Sequence, residues 1–224
     1  MNKTLTAITR ALGGGWTCPC GQEVLGDTCT CVRPKRRPRA LVSLFHDCGR
    51  NCPGCADTLE RTKQERREIT SFAELAGFEE IIITGGDPMV RPIDTANWLD
   101  DYSMTAQRKR QRLILYTARS PMLLRDIIWF QRVDGVTFTV HRTPTGEELD
   151  SFTAVQNMAF DKRDSGSSMS FRLKIDSRCG MYLNLLPTAW DIIELFEWMG
   201  PAESCLPHDA VLLDWKGGLD GVLR

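Results

Sequence analysis

Residues 41–55 read LVSLFHDCGRNCPGC. The first five are almost continuously apolar, the pattern of a parallel strand covered on both faces. The run breaks directly into a loop that carries Cys48, Cys52 and Cys55 in C-x3-C-x2-C spacing. Gly49, Pro53 and Gly54 let the backbone turn tightly enough for three thiolates to face one centre. In βα folds the loops at the carboxyl ends of strands converge, and ligands bind there. Three close thiolates with no local fourth ligand match a cubane iron–sulfur cluster with one iron left open. Structural zinc would want a fourth protein ligand.

The next apolar run, residues 81–84 (IIIT), ends in Gly85-Gly86-Asp87-Pro88. Paired glycines at a strand end let a ligand approach the backbone. Asp87 sets a carboxylate beside them, and Pro88 stiffens the exit. Further strands are expected over 41–45, 113–117, 136–140 and 171–175, with 182–186 and 211–215 carrying the same signal less cleanly. Helical patterns fall between them. Ser120-Pro121 opens MLLRDIIWF, and Thr145 and Glu148 have capping-box spacing ahead of Leu149, Phe152, Val155 and Ala159. Thr188 opens AWDIIELFEWM, with Ile192, Leu195, Phe196 and Met199 on one side and Gly200-Pro201 as its stop.

Such β-then-α alternation predicts an α/β fold with a parallel sheet and right-handed crossovers. An eight-unit barrel takes about 250 residues, more than residues 41–224 supply. The expectation is a partial (β/α)6 TIM-like barrel over 41–224, with a flat doubly wound sheet as the alternative. Residues 1–40 form a separate amino-terminal cysteine-rich module and linker.

The two motifs, in this order and each at a strand exit, resemble the radical S-adenosylmethionine (radical SAM) family. The wording CPGC and GGDP is nearest to the activating enzymes of anaerobic ribonucleotide reductases and other glycyl-radical enzymes. Gly54 stands where many members carry an aromatic residue, and Asp87 where glutamate is commoner. The resemblance implies a [4Fe-4S] cluster held by Cys48, Cys52 and Cys55. It implies an S-adenosylmethionine (SAM) site along Thr84, Gly85, Gly86, Asp87 and Pro88, where the family contacts the amino group of SAM. It also implies reductive cleavage of SAM to methionine and a 5′-deoxyadenosyl radical that abstracts hydrogen. An electron donor such as flavodoxin or ferredoxin is then needed, and a glycyl-radical enzyme subunit is one expected partner. By position, Thr117, Thr139 and His141 share the same rim and are candidates for the ribose or carboxylate of SAM. His46 and His208 complete the histidines, and none is assigned as a general base.

Seven of the nine cysteines fall between Cys18 and Cys55. Cys18, Cys20, Cys29 and Cys31, in two C-x-C pairs around a glycine-containing turn, form a second site. Zinc is the expected occupant, with an auxiliary iron–sulfur cluster or no metal as alternatives. Cys179 and Cys205 are read as buried thiols. The basic stretches 33–39 (RPKRRPR) and 108–112 (RKRQR) are read as a solvated linker and a helix-to-strand turn, and 60–68 (ERTKQERRE) as an exposed helix face or loop. Trp98, Trp129, Trp190 and Trp198 are read as packing residues.

The composition sets the outer bounds. The chain has 224 residues, 28 Lys+Arg against 29 Asp+Glu, 42% hydrophobic residues and 25% charged. That balance excludes wholesale disorder and a protein held to nucleic acid by its overall charge. No apolar run approaches the roughly 20 residues that span a bilayer, and no secretory signal is legible, so a cytoplasmic protein without a membrane partner is expected. The rival from another class is a zinc-binding interaction or nucleic-acid-binding module on an α/β scaffold, without radical chemistry. It leaves the three-cysteine loop and GGDP without a cause.

Overall fold

The structure, a computed structural model, describes residues 38–46, 48–50, 66–119, 132–176, 179, 183–196 and 210–218, all within the unit Arg37–Arg224. Outside them lie the expected amino-terminal module except its last three residues, and with it Cys18, Cys20, Cys29 and Cys31. Cys52, Cys55, Cys205, His208 and the helix expected from Ser120 also lie outside.

Eight strands are formed: β1 (Arg39–Ser43), β2 (Arg67–Ile69), β3 (Glu80–Thr84), β4 (Arg112–Thr117), β5 (Gly135–Val140), β6 (Ser170–Asp176), β7 (Ile192–Phe196) and β8 (Ala210–Trp215). Helix α1 (Pro92–Ser103) links β3 to β4, and α2 (Gly146–Asp164) links β5 to β6. The strands make one sheet in the order β2-β8-β1-β3-β4-β5-β6-β7. Every pairing is parallel. The fold is α/β, and its sheet is open, with β2 and β7 at the edges.

Register divides the strand residues between two faces. Ala40, Ile81 and Leu113 lie opposite one another across β1, β3 and β4, and Val136 lies opposite Phe171 across β5 and β6. These residues join one core with the buried residues of both helices, Trp98, Leu99 and Tyr102 of α1 and Phe152, Val155 and Ala159 of α2. Pro92 starts α1, where its missing N–H costs nothing. The expected capping box starts α2: the Thr145 N–H donates to Glu148 Oε2 at 2.9 Å, and the Glu148 N–H donates to Thr145 Oγ1 at 3.4 Å. Phe152 then stacks on Trp190 with centroids 6.0 Å apart, and each such buried side chain contributes about 1.5–3 kcal/mol.

The opposite face is layered. Near the amino ends of the strands, Glu80 pairs with Arg39 at 3.0 Å and with Arg112 at 3.7 Å. Leu41, Ile82 and Ile114 form an apolar middle layer, buried to 2% exposure or less. Toward the carboxyl ends the layer turns polar, with Ser43, Thr84, Tyr116, Thr137, Thr139, Arg172, Lys174 and Asp214. Among the described residues, both α-helices pack on the first face.

Three local expectations are corrected. The segment expected as a helix from Thr188 contains a three-residue 3-10 turn (Pro187–Ala189) and strand β7. In IIELF, the i, i+3, i+4 spacing of a helix and the alternation of a strand are both satisfied. Pairing with the free edge of β6 decides for the strand, because it places Ile193 and Leu195 on the core and leaves Ile192 and Glu194 opposite. Residues 183–186, expected within a strand, form a loop whose Leu183 and Leu185 still pack on the core. Residues 67–68, expected in a helix face or loop, belong to β2, which pairs with β8. The basic run 108–112 does span a helix-to-strand turn. There Arg108 ion-pairs with Asp134 at 3.1 Å and donates to the Arg132 carbonyl at 2.8 Å.

Candidate functional site

Strands β1, β3, β4 and β5 lie side by side, so their carboxyl-end loops share one rim. Ser43 and Thr84, the last residues of β1 and β3, are register partners. The cysteine loop and the Gly85–Pro88 segment therefore leave the sheet from adjacent points. Gly85 has φ +78° and Gly86 φ +57°, both left-handed. A Cβ on Gly85 would lie 2.3 Å from both Cβ and Oγ of Ser43. The β3 exit thus folds flat against β1 only because residue 85 has no side chain.

Asp87 fixes the other side of this exit. Its Oδ1 accepts from the Met89 N–H at 2.9 Å and from Thr117 Oγ1 at 2.7 Å. Its Oδ2 accepts from the Ala118 N–H at 2.8 Å. The carboxylate therefore starts the 3-10 turn Pro88–Val90 and clasps the end of β4. Burial raises its pKa above the usual carboxylate range, against the opposing pull of hydrogen bonds from Ala118, Thr117 and Met89 and of the positive Arg50.

Cys48 carries a free, half-buried thiol. Its carbonyl accepts from Arg119 Nη2 at 3.1 Å. Two residues on, the buried Arg50 donates to the Ala118 carbonyl at 3.1 Å and ion-pairs with Glu148 Oε1 at 3.1 Å. Glu148 also pairs with Arg142 at 2.8 Å. The start of the cysteine loop is thus tied to the exit of β4 and to the first turn of α2. Of the expected rim residues, Thr117 is committed to Asp87, and Thr139 donates to the Thr117 carbonyl at 3.4 Å. His141 follows β5. Burial lowers its pKa to about 3, helped by Arg50 and Lys174 and opposed by Asp176. His46 lies 3.3 Å from Asp214 of β8, with Arg66 donating to its other ring nitrogen at 2.8 Å.

Sequence reasoning missed the arginines. Arg50 lies inside the cysteine spacer, and Arg119 and Arg142 each lie two residues past the end of a strand, so position was the available signal. Among the described residues, Arg50 Nε and Arg119 Nε are buried without a hydrogen-bond partner. Orphaned donors next to the start of the cysteine loop and a side-chain-free glycine exit leave room for an acceptor-rich group bound closely at the backbone. The chain matches no protein-family model, and no curated protein matches it.

Proposed function

We propose that this protein is a radical SAM enzyme, with Cys48, Cys52 and Cys55 holding a [4Fe-4S] cluster and Gly85–Pro88 lining the site for the methionine end of SAM. The observation that carries the reading is the adjacency of the two motifs. One leaves β1 and the other β3 at register partners Ser43 and Thr84, and Arg50, Arg119 and Asp87 bind both exits to the end of β4. In this reading the sheet is a partial (β/α)6 barrel formed by β1-β3-β4-β5-β6-β7, with β8 and β2 added beside β1. Helices on one face and a charged, apolar, then polar layering on the other support it.

Each side chain then has a role in holding the site. Cys48 and its loop present the thiolates, and Arg119 and Arg50 fix the loop backbone. Gly85 and Gly86 leave room for a ligand against the main chain, and Asp87 holds their conformation. Thr84, Pro88, Thr117, Thr139 and His141 complete the rim. His141 stays neutral at working pH and is therefore a hydrogen-bonding group there. Cys48, Cys52 and Cys55 would hold the cluster, which, with a flavodoxin- or ferredoxin-type electron donor, would supply the one-electron reduction needed for SAM cleavage and hydrogen abstraction. The amino-terminal cysteines Cys18, Cys20, Cys29 and Cys31 are proposed to hold zinc, and the protein to act in the cytoplasm.

Anaerobic reconstitution with iron and sulfide tests this. The expected result is a brown protein with about four irons per chain at the three-cysteine site, SAM cleavage on reduction, and loss of both in Cys48→Ala and Cys52→Ala. A colourless, zinc-only protein, or SAM turnover unchanged in Cys52→Ala, overturns the reading.

A further inference from the structure

The polar end of the second sheet face extends well past the cysteine rim. Register sets Tyr116, Thr137 and Arg172 opposite one another across β4, β5 and β6. One step further along, Thr139 lies opposite Lys174. Thr137 is fully buried, and among the described residues its hydroxyl has no hydrogen-bond partner; nor has the buried Nε of Arg172. Lys174 Nζ lies 5.8 Å from the centre of the Tyr116 ring. Its ion-pair partner is Glu194 at 3.4 Å, whose side chain is about half exposed on the edge strand β7. Two cations, an orphaned hydroxyl and a tyrosine thus share one patch, with Glu194 at its outer edge and the fully buried Asp176 two residues past Lys174 on the same strand face.

We infer that Tyr116, Thr137, Arg172 and Lys174 bind an oxyanion, a carboxylate or phosphate, carried by a small-molecule substrate. A guanidinium and an ammonium two residues apart on one strand lie roughly 7 Å apart at the backbone. Long side chains converge from that spacing on a single anion, and a hydroxyl adds a neutral donor. His141, beyond the end of β5, is held neutral chiefly by burial, then by Arg50 and Lys174, with Asp176 opposing. Buried hydroxyls without partners are rare in native proteins, and a ligand oxygen satisfies this one.

The inference rests on the radical SAM reading for its substrate. Four strand spacings of about 4.8 Å separate β1 from β6, roughly 19 Å along the sheet, but Thr139, a candidate contact of SAM, lies opposite Lys174. SAM affinity measured in parallel with phosphate affinity therefore tells the substrate's anion from SAM's carboxylate. The adenosine end of SAM carries no anion. A glycine in a partner protein's loop carries none either, so the patch favours a small anionic substrate over a glycyl-radical partner.

The test titrates inorganic phosphate and, separately, acetate into the anaerobically reconstituted full chain, at constant ionic strength with chloride as control. SAM affinity is measured in parallel by equilibrium dialysis. Saturable phosphate binding is expected, weakened roughly tenfold in Arg172→Gln and in Lys174→Gln, and severalfold in Thr137→Val. Glu194→Gln, which frees Lys174, is expected to tighten phosphate severalfold, a gain that a misfolded variant would not produce. Lys109→Gln, at an exposed lysine outside the patch, should bind as the parent does. Equal phosphate affinity in all variants, or an equal loss in Lys109→Gln, overturns the inference. A loss of SAM affinity in Lys174→Gln as large as the loss of phosphate affinity also overturns it, because the anion is then SAM's carboxylate. Phosphate binding that follows this pattern in a chain that does not cleave SAM upholds the anion site and overturns the proposed function instead.

Discussion

Thr117 Oγ1 donates to Asp87 Oδ1 at 2.7 Å, joining the last residue of β4 to the turn that follows β3. Thirty residues separate the two in sequence, yet the pair decides the shape of the exit. Asp87 also accepts two backbone N–H groups, so three donors converge on one buried carboxylate. Asp87 is therefore a positioning residue for the glycine pair before it. Asp87→Asn turns one acceptor oxygen into a donor facing the Ala118 N–H. The expected cost is about 2–3 kcal/mol, against about 1 kcal/mol for Thr117→Val. Urea unfolding of both variants checks the ratio, and equal costs would mean that Asp87 does not organise the exit.

Gly85 and Gly49 both have positive φ, but only Gly85 is packed against another strand. Gly85→Ala must displace the backbone of β1, since its Cβ would also lie 2.6 Å from Ser43 Cα. Gly49→Ala meets nothing within 4 Å and incurs only the left-handed penalty, about 1 kcal/mol. Thermal unfolding should separate the two clearly, and SAM binding should vanish in the first while persisting in the second.

Arg50 is buried between Ala118 and Glu148. Arg50→Ala removes a cation from a shared pair, and Arg142 remains to hold Glu148. Breaking a buried pair costs about 3–5 kcal/mol, so the lower end is expected. The more specific readout is iron retention. After reconstitution, Arg50→Ala should lose iron on gel filtration faster than Arg142→Ala, because only Arg50 belongs to the cysteine loop.

His141 makes stability depend on pH. Its folded pKa, about 3, lies below the ordinary value of 6.5. The unfolded chain therefore binds a proton first as pH falls. The stabilisation is complete above pH 6.5 and is lost as pH drops from there toward 3. The expected slope is about 1.4 kcal/mol per pH unit between pH 6 and pH 4. His141→Gln should flatten that acid limb, measured by urea midpoints at pH 4, 5, 6 and 7. An unchanged slope would place the acid sensitivity elsewhere.

Much of this site was legible before any fold was known. Cys48 and the Gly85–Pro88 run announce themselves because cysteine spacing, glycine pairs and an apolar strand are local signals. The Thr145–Glu148 capping box was equally plain. What escaped was Arg50, Arg119 and Arg142, since an isolated arginine carries no pattern and its partner lies 68 or 71 residues away in two of these contacts.

The amino-acid sequence alone determined the α/β class, the run of parallel strands and the two motifs at their exits. Each follows from short-range periodicity and the conformational freedom of glycine and proline. Only the tertiary structure decided that residues 192–196 are a strand, that β2 and β8 extend the sheet beyond β1, and that Asp87 grips β4. Those outcomes depend on which edge is free and which donors arrive from distant segments. Free energies of pairing between remote parts of the chain set them, and no local window contains those energies.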